Sequence, residues 1–169
     1  MEINRLVRYI AYSLEIFLLY ILQQTPGLFP EIFKARPVLL YAAALSISMF
    51  ENEVPAVIFG LICGLLLDFG FGGTLGIHAI VVAIICFVIS MLAKSILKIN
   101  LGVAIVISIC ATAVFVVLGW LYQFVIPGYS YPLYTLINHY LPKYLYSLLL
   151  FPLIFIVTRG IFNATASAE

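Results

Sequence analysis

Long apolar segments, separated by short clusters of charged, proline and glycine residues, constrain the fold of this chain more than any other feature. Hydrophobic residues make up 65% of the 169 residues, and charged residues make up only 9%. Soluble globular proteins are about 25% charged, and a water-soluble fold of this length cannot bury so much apolar surface. The sequence therefore predicts an integral membrane protein whose apolar segments lie in the lipid bilayer.

Charged and turn residues divide the chain into six apolar segments. The predicted spans are residues 6–22, 38–50, 54–69, 74–92, 101–126 and 141–162. A helix needs about 20 residues to cross a bilayer, so the second and third segments are short. Either they recruit neighbouring residues, or the bilayer thins around them, or they form a tight hairpin buried among longer helices. We predict an all-α integral membrane protein with about six transmembrane helices, in a single domain over residues 1–169.

The lysine and arginine residues predict the orientation of the helices, because cytoplasmic loops carry an excess of both. If the amino terminus is cytoplasmic, that side receives five basic residues: Arg5, Arg8, Lys94, Lys98 and Arg159. The outer side then receives three: Lys34, Arg36 and Lys143. This excess predicts that both termini are cytoplasmic. The net charge of +1 gives no indication of nucleic-acid binding.

A series of small residues in the third segment ends in an aspartate. Ala56, Gly60, Gly64 and Asp68 are spaced four residues apart, so they lie along one face of a helix. Small residues at this spacing let a second helix approach closely in lipid. With the glycine turn that follows, they predict a helix-packing or partner-interaction surface made of Ala56, Gly60, Gly64, Asp68, Gly72, Gly73 and Gly76.

Asp68 itself has two interpretations. A carboxylate at the edge of a membrane is costly to leave unpaired, so it should face protein, water or backbone donors. It either accepts hydrogen bonds from the glycine turn and the start of the fourth helix, or it contacts a partner. The sequence GFGGTLG, residues 70–76, lacks both the glycine spacing of a dinucleotide-binding loop and the lysine of a P-loop. It predicts a sharp backbone turn between two helices.

Two further polar residues, Glu15 and His78, are embedded in predicted spans. Glu15 lies in the middle of the first segment, where its candidate partners are tyrosine or serine side chains of neighbouring helices, or Arg8. Glu15 therefore has two possible roles: hydrogen bonding between helices, or transport. His78 lies near Asp68 if the glycine turn is tight. It is either a hydrogen-bonded residue at a helix start or part of a proton relay.

The sequence predicts neither an enzyme nor a metal or cofactor site. It contains no triad-like arrangement of serine, histidine and aspartate and no acidic pair within a span. His78 and His139 have no apparent third metal ligand. Cys63, Cys86 and Cys110 lie in apolar runs without Cys-x-x-Cys spacing, so we interpret them as small apolar side chains.

The segment FGLICGLLLDFGFGGTLGIHAIVVAIICFVIS, residues 59–90, resembles the rod shape-determining protein MreD family. That family has a glycine-spaced helix ending in Leu-x-x-Asp, then a glycine turn, a Leu-Gly pair and an apolar helix. The matching residues are Gly60, Gly64, Leu65, Asp68, Gly72, Leu75 and Gly76. The preceding ARPVLLYAAAL, the chain length and the hydropathy profile fit the same family, although the motif covers only about a fifth of the chain.

The resemblance implies a polytopic inner-membrane component of the bacterial cell-elongation machinery. Members of the MreD family associate with MreC, and together they link MreB filaments to the glycan polymerase RodA and its partner transpeptidase. The implied fold is similar to that of the six-helix substrate-binding subunits of energy-coupling-factor vitamin transporters.

Two other functions remain as alternatives. One is a vitamin-binding subunit of an energy-coupling-factor transporter, although such a pocket needs several polar groups to orient its ligand. The other is a channel or secondary transporter, which needs a line of polar groups across the bilayer. Only Glu15 and Asp68 offer such groups, and they lie on different predicted helices.

Overall fold

A computed structural model of the chain describes residues 2–25, 37–71, 76–95, 99–122, 136 and 141–166. Within those ranges the protein is all-helical, with no strand, which confirms the all-α part of the predicted fold class. The helices are α1 (Glu2–Gln24), α2 (Leu39–Phe50), α3 (Glu53–Phe71), α4 (Ile77–Ser95), α5 (Leu101–Trp120) and α6 (Leu141–Ala166).

Four helices in the described part of the chain are long and apolar enough to cross a membrane: Asn4–Gln24, Ile77–Ser95, Leu101–Trp120 and Leu141–Ala166. This supports a multi-pass membrane protein. The helix α2 is apolar but has only 12 residues, which gives it a length of about 18 Å. The helix α4 begins at Ile77, after Gly76, whereas the sequence predicted a start at residue 74. Residues 74–75 and 123–126, which fall in predicted spans, lie outside the described residues.

The short helix α2 lies at the centre of the bundle. Every side chain from Leu39 to Met49 is buried, and α2 contacts all five other helices. Its alanines and serines are small enough for those helices to approach closely. Ser46 and Ser48 donate hydrogen bonds to carbonyl oxygens of their own helix, which pairs their hydroxyl groups inside the core. Burial among longer neighbours therefore accounts for the short length of α2.

The helix α3 is less enclosed than α2. It exposes Val54, Ile58 and Phe69, whereas Phe59, Cys63 and Leu67 point into the core. In lipid, apolar side chains are compatible with either position. Of the three alternatives for the short second and third segments, burial among longer helices thus fits α2, whereas α3 is buried on one side only.

Contacts between helix ends show which ends lie together. Arg8, near the start of α1, pairs with Glu51 in the α2–α3 turn and lies over the ring of Phe162 near the end of α6. Lys94, near the end of α4, pairs with Glu53. The predicted cytoplasmic residues Arg5, Arg8, Lys94 and Arg159 therefore belong to helix ends on one side of the bundle. Lys98, Lys34 and Arg36 lie outside the described residues.

Candidate functional site

The small residues of α3 lie where α3 meets α4. A Cβ atom on Gly60 would be 2.9 Å from Cys86 Sγ, and one on Gly64 would be 2.8 Å from the carbonyl oxygen of His78. Real Cβ atoms essentially never come within 3.0 Å of a heavy atom in a non-bonded contact. A side chain at either position would therefore push α3 and α4 apart. Ala56, at the other end of the series, is also buried.

The glycine face of α3, which contains Gly60 and Gly64, therefore packs against another helix of the same chain. The close approach of the backbones brings α3 and α4 into the most extensive contact of any helix pair described. In lipid, such an approach gains dispersion contacts that larger side chains would prevent. The face predicted for helix packing or for a partner is therefore covered by α4 at Gly60 and Gly64.

Asp68 lies at the end of this face and accepts hydrogen bonds across the turn between α3 and α4. The carboxylate is 2% exposed. Oδ2 accepts from the backbone N–H groups of Gly76 at 2.8 Å and Ala79 at 3.3 Å, and Oδ1 accepts from that of His78 at 3.3 Å. Backbone N–H groups at a helix start have no intrahelical partner, so Asp68 provides acceptors for the first turn of α4.

Gly76 supplies the backbone conformation that this arrangement requires. Its φ angle is +99°, in the left-handed region that side chains rarely adopt. The chain can therefore enter α4 while the N–H of Gly76 points to Asp68. Gly72 and Gly73, the other predicted turn glycines, lie outside the described residues.

The structure brings His78 and Asp68 together. His78 Nδ1 lies 2.7 Å from Asp68 Oδ1, and the His78 ring lies beside Phe115, with 5.9 Å between ring centroids. Because the pair is buried, the carboxylate fixes the position of the imidazole ring. A proton relay through this pair stays a hypothesis.

Glu15, the other predicted embedded residue, is 8% exposed and contacts α6. Thr158 Oγ1 lies 2.8 Å from Glu15 Oε1. The predicted candidate partner Arg8 lies elsewhere, because it pairs with Glu51. The structure thus gives Glu15 an interhelical hydrogen bond to α6, whereas Asp68 and His78 belong to the α3–α4 contact.

A buried ion pair between Arg8 and Glu51 is absent from the predictions made from sequence. Arg8 Nε lies 2.7 Å from Glu51 Oε1, although neither atom makes an aligned hydrogen bond, so the contact is ionic. The Ser90 hydroxyl donates to the backbone carbonyl of Glu51 at 2.7 Å. Arg8 and Glu51 are far apart in sequence, and each has the appearance of an ordinary charge at the end of an apolar segment. No sequence signal pairs them.

The charged residues near the α2–α3 turn differ in their surroundings. Burial raises the pKa of the Glu51 carboxyl above its ordinary value, while the Arg8 guanidinium and the Tyr12 hydroxyl act in the opposite direction. Glu53 lies at the surface, where its hydrogen bond from Lys94 lowers the pKa of its carboxyl. The turn therefore has one enclosed and one solvent-facing ion pair.

A groove of about 400 Å³ runs between α4 and α5. It is lined only by apolar side chains, among them Ile84, Val88, Val106 and Cys110. Cys110 is exposed, whereas Cys63 and Cys86 are buried. The groove therefore contains one exposed thiol, that of Cys110, among side chains that do not react with thiol reagents.

The described residues contain no group of three or more histidine, cysteine, aspartate or glutamate side chains that could hold a metal ion. No curated protein and no solved structure matches the chain. The family of rod shape-determining protein MreD matches residues 4–163, which is nearly the whole sequence and includes the Asp68 turn and the central helix. The chain therefore belongs to the MreD family, whose members are membrane proteins of rod-shape determination.

Proposed function

We propose that this protein is a non-enzymatic membrane scaffold of the bacterial cell-elongation complex. It binds an MreC-like protein directly and, through it, helps couple MreB filaments to RodA and its transpeptidase. The match to the MreD family over residues 4–163 is the observation that carries this proposal. The chain acts as a single domain, with both termini in the cytoplasm.

The partner surface in this proposal is the groove between α4 and α5. The glycine face of α3 is covered by α4, so a partner helix cannot use it without separating the two. The groove, by contrast, is open and apolar. A transmembrane helix gains dispersion contacts when its side chains fill such a depression in lipid. This supports the groove as the place where the single span of an MreC-like protein lies.

Affinity purification in a mild detergent, after co-expression with an MreC-like protein, tests the scaffold. We expect the two proteins to be recovered together. Failure to recover a complex under conditions that keep the chain folded would contradict direct binding.

Cross-linking then tests the groove separately. A thiol-reactive cross-linker should join Cys110 to a cysteine placed along the partner span. The matched control is Cys110→Ala combined with Leu149→Cys, because Leu149 is 74% exposed on α6, away from the groove. Cross-linking through the α6 position alone would show that the partner binds another face, although the scaffold proposal would stand.

The vitamin-transporter alternative rests on a proposed similarity of this six-helix fold to energy-coupling-factor substrate-binding subunits. The α4–α5 groove does not favour it, because aliphatic side chains cannot orient a polar vitamin. The same purification distinguishes the two functions. Recovery of an energy-coupling transmembrane subunit with two ATPases, in place of an MreC-like protein, would favour the transporter.

A further inference from the structure

Three buried carboxyl groups lie in the described bundle, and two of them are compensated. Asp68 accepts from three backbone N–H groups and lies 2.7 Å from His78 Nδ1. Glu51 lies 2.7 Å from the guanidinium of Arg8. A buried carboxylate needs such donors or cations, because it has lost its hydration. These two sites therefore suit ionised groups.

Glu15 has much less support. Its Oε1 has one neutral partner, the Thr158 hydroxyl, and its Oε2 is buried with no hydrogen-bond partner among the described residues. Arg8 is seven residues away on the same helix, about 10 Å along the axis, and pairs with Glu51. Among the described residues, the titratable groups that interact electrostatically with Glu15 are Tyr12 on α1 and Cys63 on α3, and neither is a cation.

The hydroxyl of Thr158 has two neighbours and one hydrogen to donate. Its Oγ1 lies 2.8 Å from Glu15 Oε1 and 3.0 Å from the carbonyl oxygen of Ile154. If Glu15 were ionised, this hydroxyl would be the only donor, within the described part of the chain, to a carboxylate in the middle of a membrane helix. If Glu15 carries a proton, its O–H donates to Thr158 Oγ1, and Thr158 donates to Ile154. Each hydrogen then has one acceptor.

We propose that Glu15 is held as a neutral carboxylic acid and donates a hydrogen bond from α1 to Thr158 on α6. The geometry and the lack of a cation among its described neighbours carry this inference, and it does not depend on the scaffold function. A neutral acid avoids the cost of an uncompensated charge at membrane depth. Glu15 is thus an uncharged link between two helices and not an ion carrier.

Infrared spectroscopy of the purified full-length protein tests this protonation state. The protein is measured at neutral pH in a detergent without ester groups, so that lipid carbonyl bands do not overlap. We expect a carbonyl stretching band of a protonated carboxylic acid that is absent from Glu15→Gln. The matched control is Glu53→Gln, which removes a surface carboxylate and should leave the band unchanged. Absence of the band from the wild-type protein, or its survival in Glu15→Gln, would overturn the proposal.

Thr158→Val tests the hydrogen bond between Glu15 and Thr158 without changing Glu15 and serves also if Glu15→Gln does not fold. Valine keeps the shape of threonine but removes the acceptor, so the carbonyl band should stay and move to higher frequency. A band that is lost, or one that stays at the same frequency, would contradict a hydrogen bond between a neutral Glu15 and Thr158.

Discussion

Gly64 and Asp68 lie one turn apart on α3 and support the α3–α4 contact in different ways. Gly64 has no side chain where the backbone of α4 passes, and Asp68 supplies acceptors for the first N–H groups of α4. Gly64 permits the close approach of the two helices. Asp68 accepts hydrogen bonds from N–H groups of α4 that the approach would otherwise bury without a partner. Their separate physical roles lead to separate predictions.

Gly64→Leu should lower the thermal stability of the purified protein and weaken recovery of the proposed MreC-like partner. The new side chain meets the backbone of α4, and overpacking of this kind costs about 1–3 kcal/mol. The control is Gly160→Leu, because Gly160 also lies within a helix but has nothing within 4 Å of a built Cβ. Thermal unfolding in detergent is the measurement. Equal melting temperatures for the two variants would disprove the close-approach role of Gly64.

Substitutions of Asp68 test whether its polar group is needed. Asp68→Asn keeps one acceptor oxygen, whereas Asp68→Leu leaves the N–H groups of the first turn of α4 unpaired. Each unpaired buried group costs about 1–3 kcal/mol. In a strain depleted of the native protein, we expect Asn to restore rod shape better than Leu does. Equal restoration by both variants would remove any role for a polar group at this position.

At the scale of the helices, the Arg8–Glu51 pair holds the start of α1 against the α2–α3 turn. Both side chains are largely enclosed, whereas the Lys94–Glu53 pair between α3 and α4 is open to solvent. The helices therefore have two ion pairs near the same turn with different degrees of burial. Breaking the buried pair should destabilise the fold more than breaking the exposed pair, because solvent screens the exposed pair.

Arg8→Met should destabilise the fold by about 3–5 kcal/mol, because it leaves the buried carboxylate of Glu51 without its cation. Lys94→Met, the matched control, removes the same charge from the exposed pair and should have a much smaller effect, because solvent screens that pair. Combining Arg8→Met with Glu51→Gln should recover part of the loss. Chemical unfolding in mixed micelles measures these differences. A double variant as unstable as Arg8→Met would argue against the ion pair.

For the whole molecule, the contacts between helix ends restrict the topology. The α2–α3 turn and the end of α4 belong to one side, so Asn52 and Asn100 should share a compartment. Tyr122, after the end of α5, belongs to the opposite side. The basic residues favour the cytoplasm for the first side.

Cysteine labelling in cells checks this orientation. In a Cys110→Ala background, Asn52→Cys and Asn100→Cys should react only after the membrane is made permeable. Tyr122→Cys should react with an impermeant reagent added outside. If Asn52→Cys and Asn100→Cys were labelled from different sides, the arrangement of helices would be wrong. Labelling of both from outside would instead reverse the orientation.

The sequence was enough to predict the helices and the contacts of the Asp68 turn, but it did not predict most of the other contacts between helices. Apolar runs mark helices because backbone polar groups must be paired within the segment in lipid. The four-residue spacing from Ala56 to Asp68 identified the face of α3 that contacts α4, and the glycine turn placed Asp68 near His78. Hydropathy could not identify α2 as the central helix, because protein-facing and lipid-facing surfaces are both apolar. The Arg8–Glu51 contact was equally hidden, because only the folded bundle joins these distant charges.

The enclosed position of α2 affects how the protein responds to its membrane. A helix that contacts lipid can tilt when the bilayer becomes thicker or thinner. The helix α2 is surrounded by five others, so its length is matched to protein and not to the hydrocarbon layer. The outer helices must therefore make any adjustment to a different bilayer. They can tilt, while the length of the central helix α2 stays the same. Membrane composition would then change the outer shape of the protein, while the dimensions of its centre stay the same.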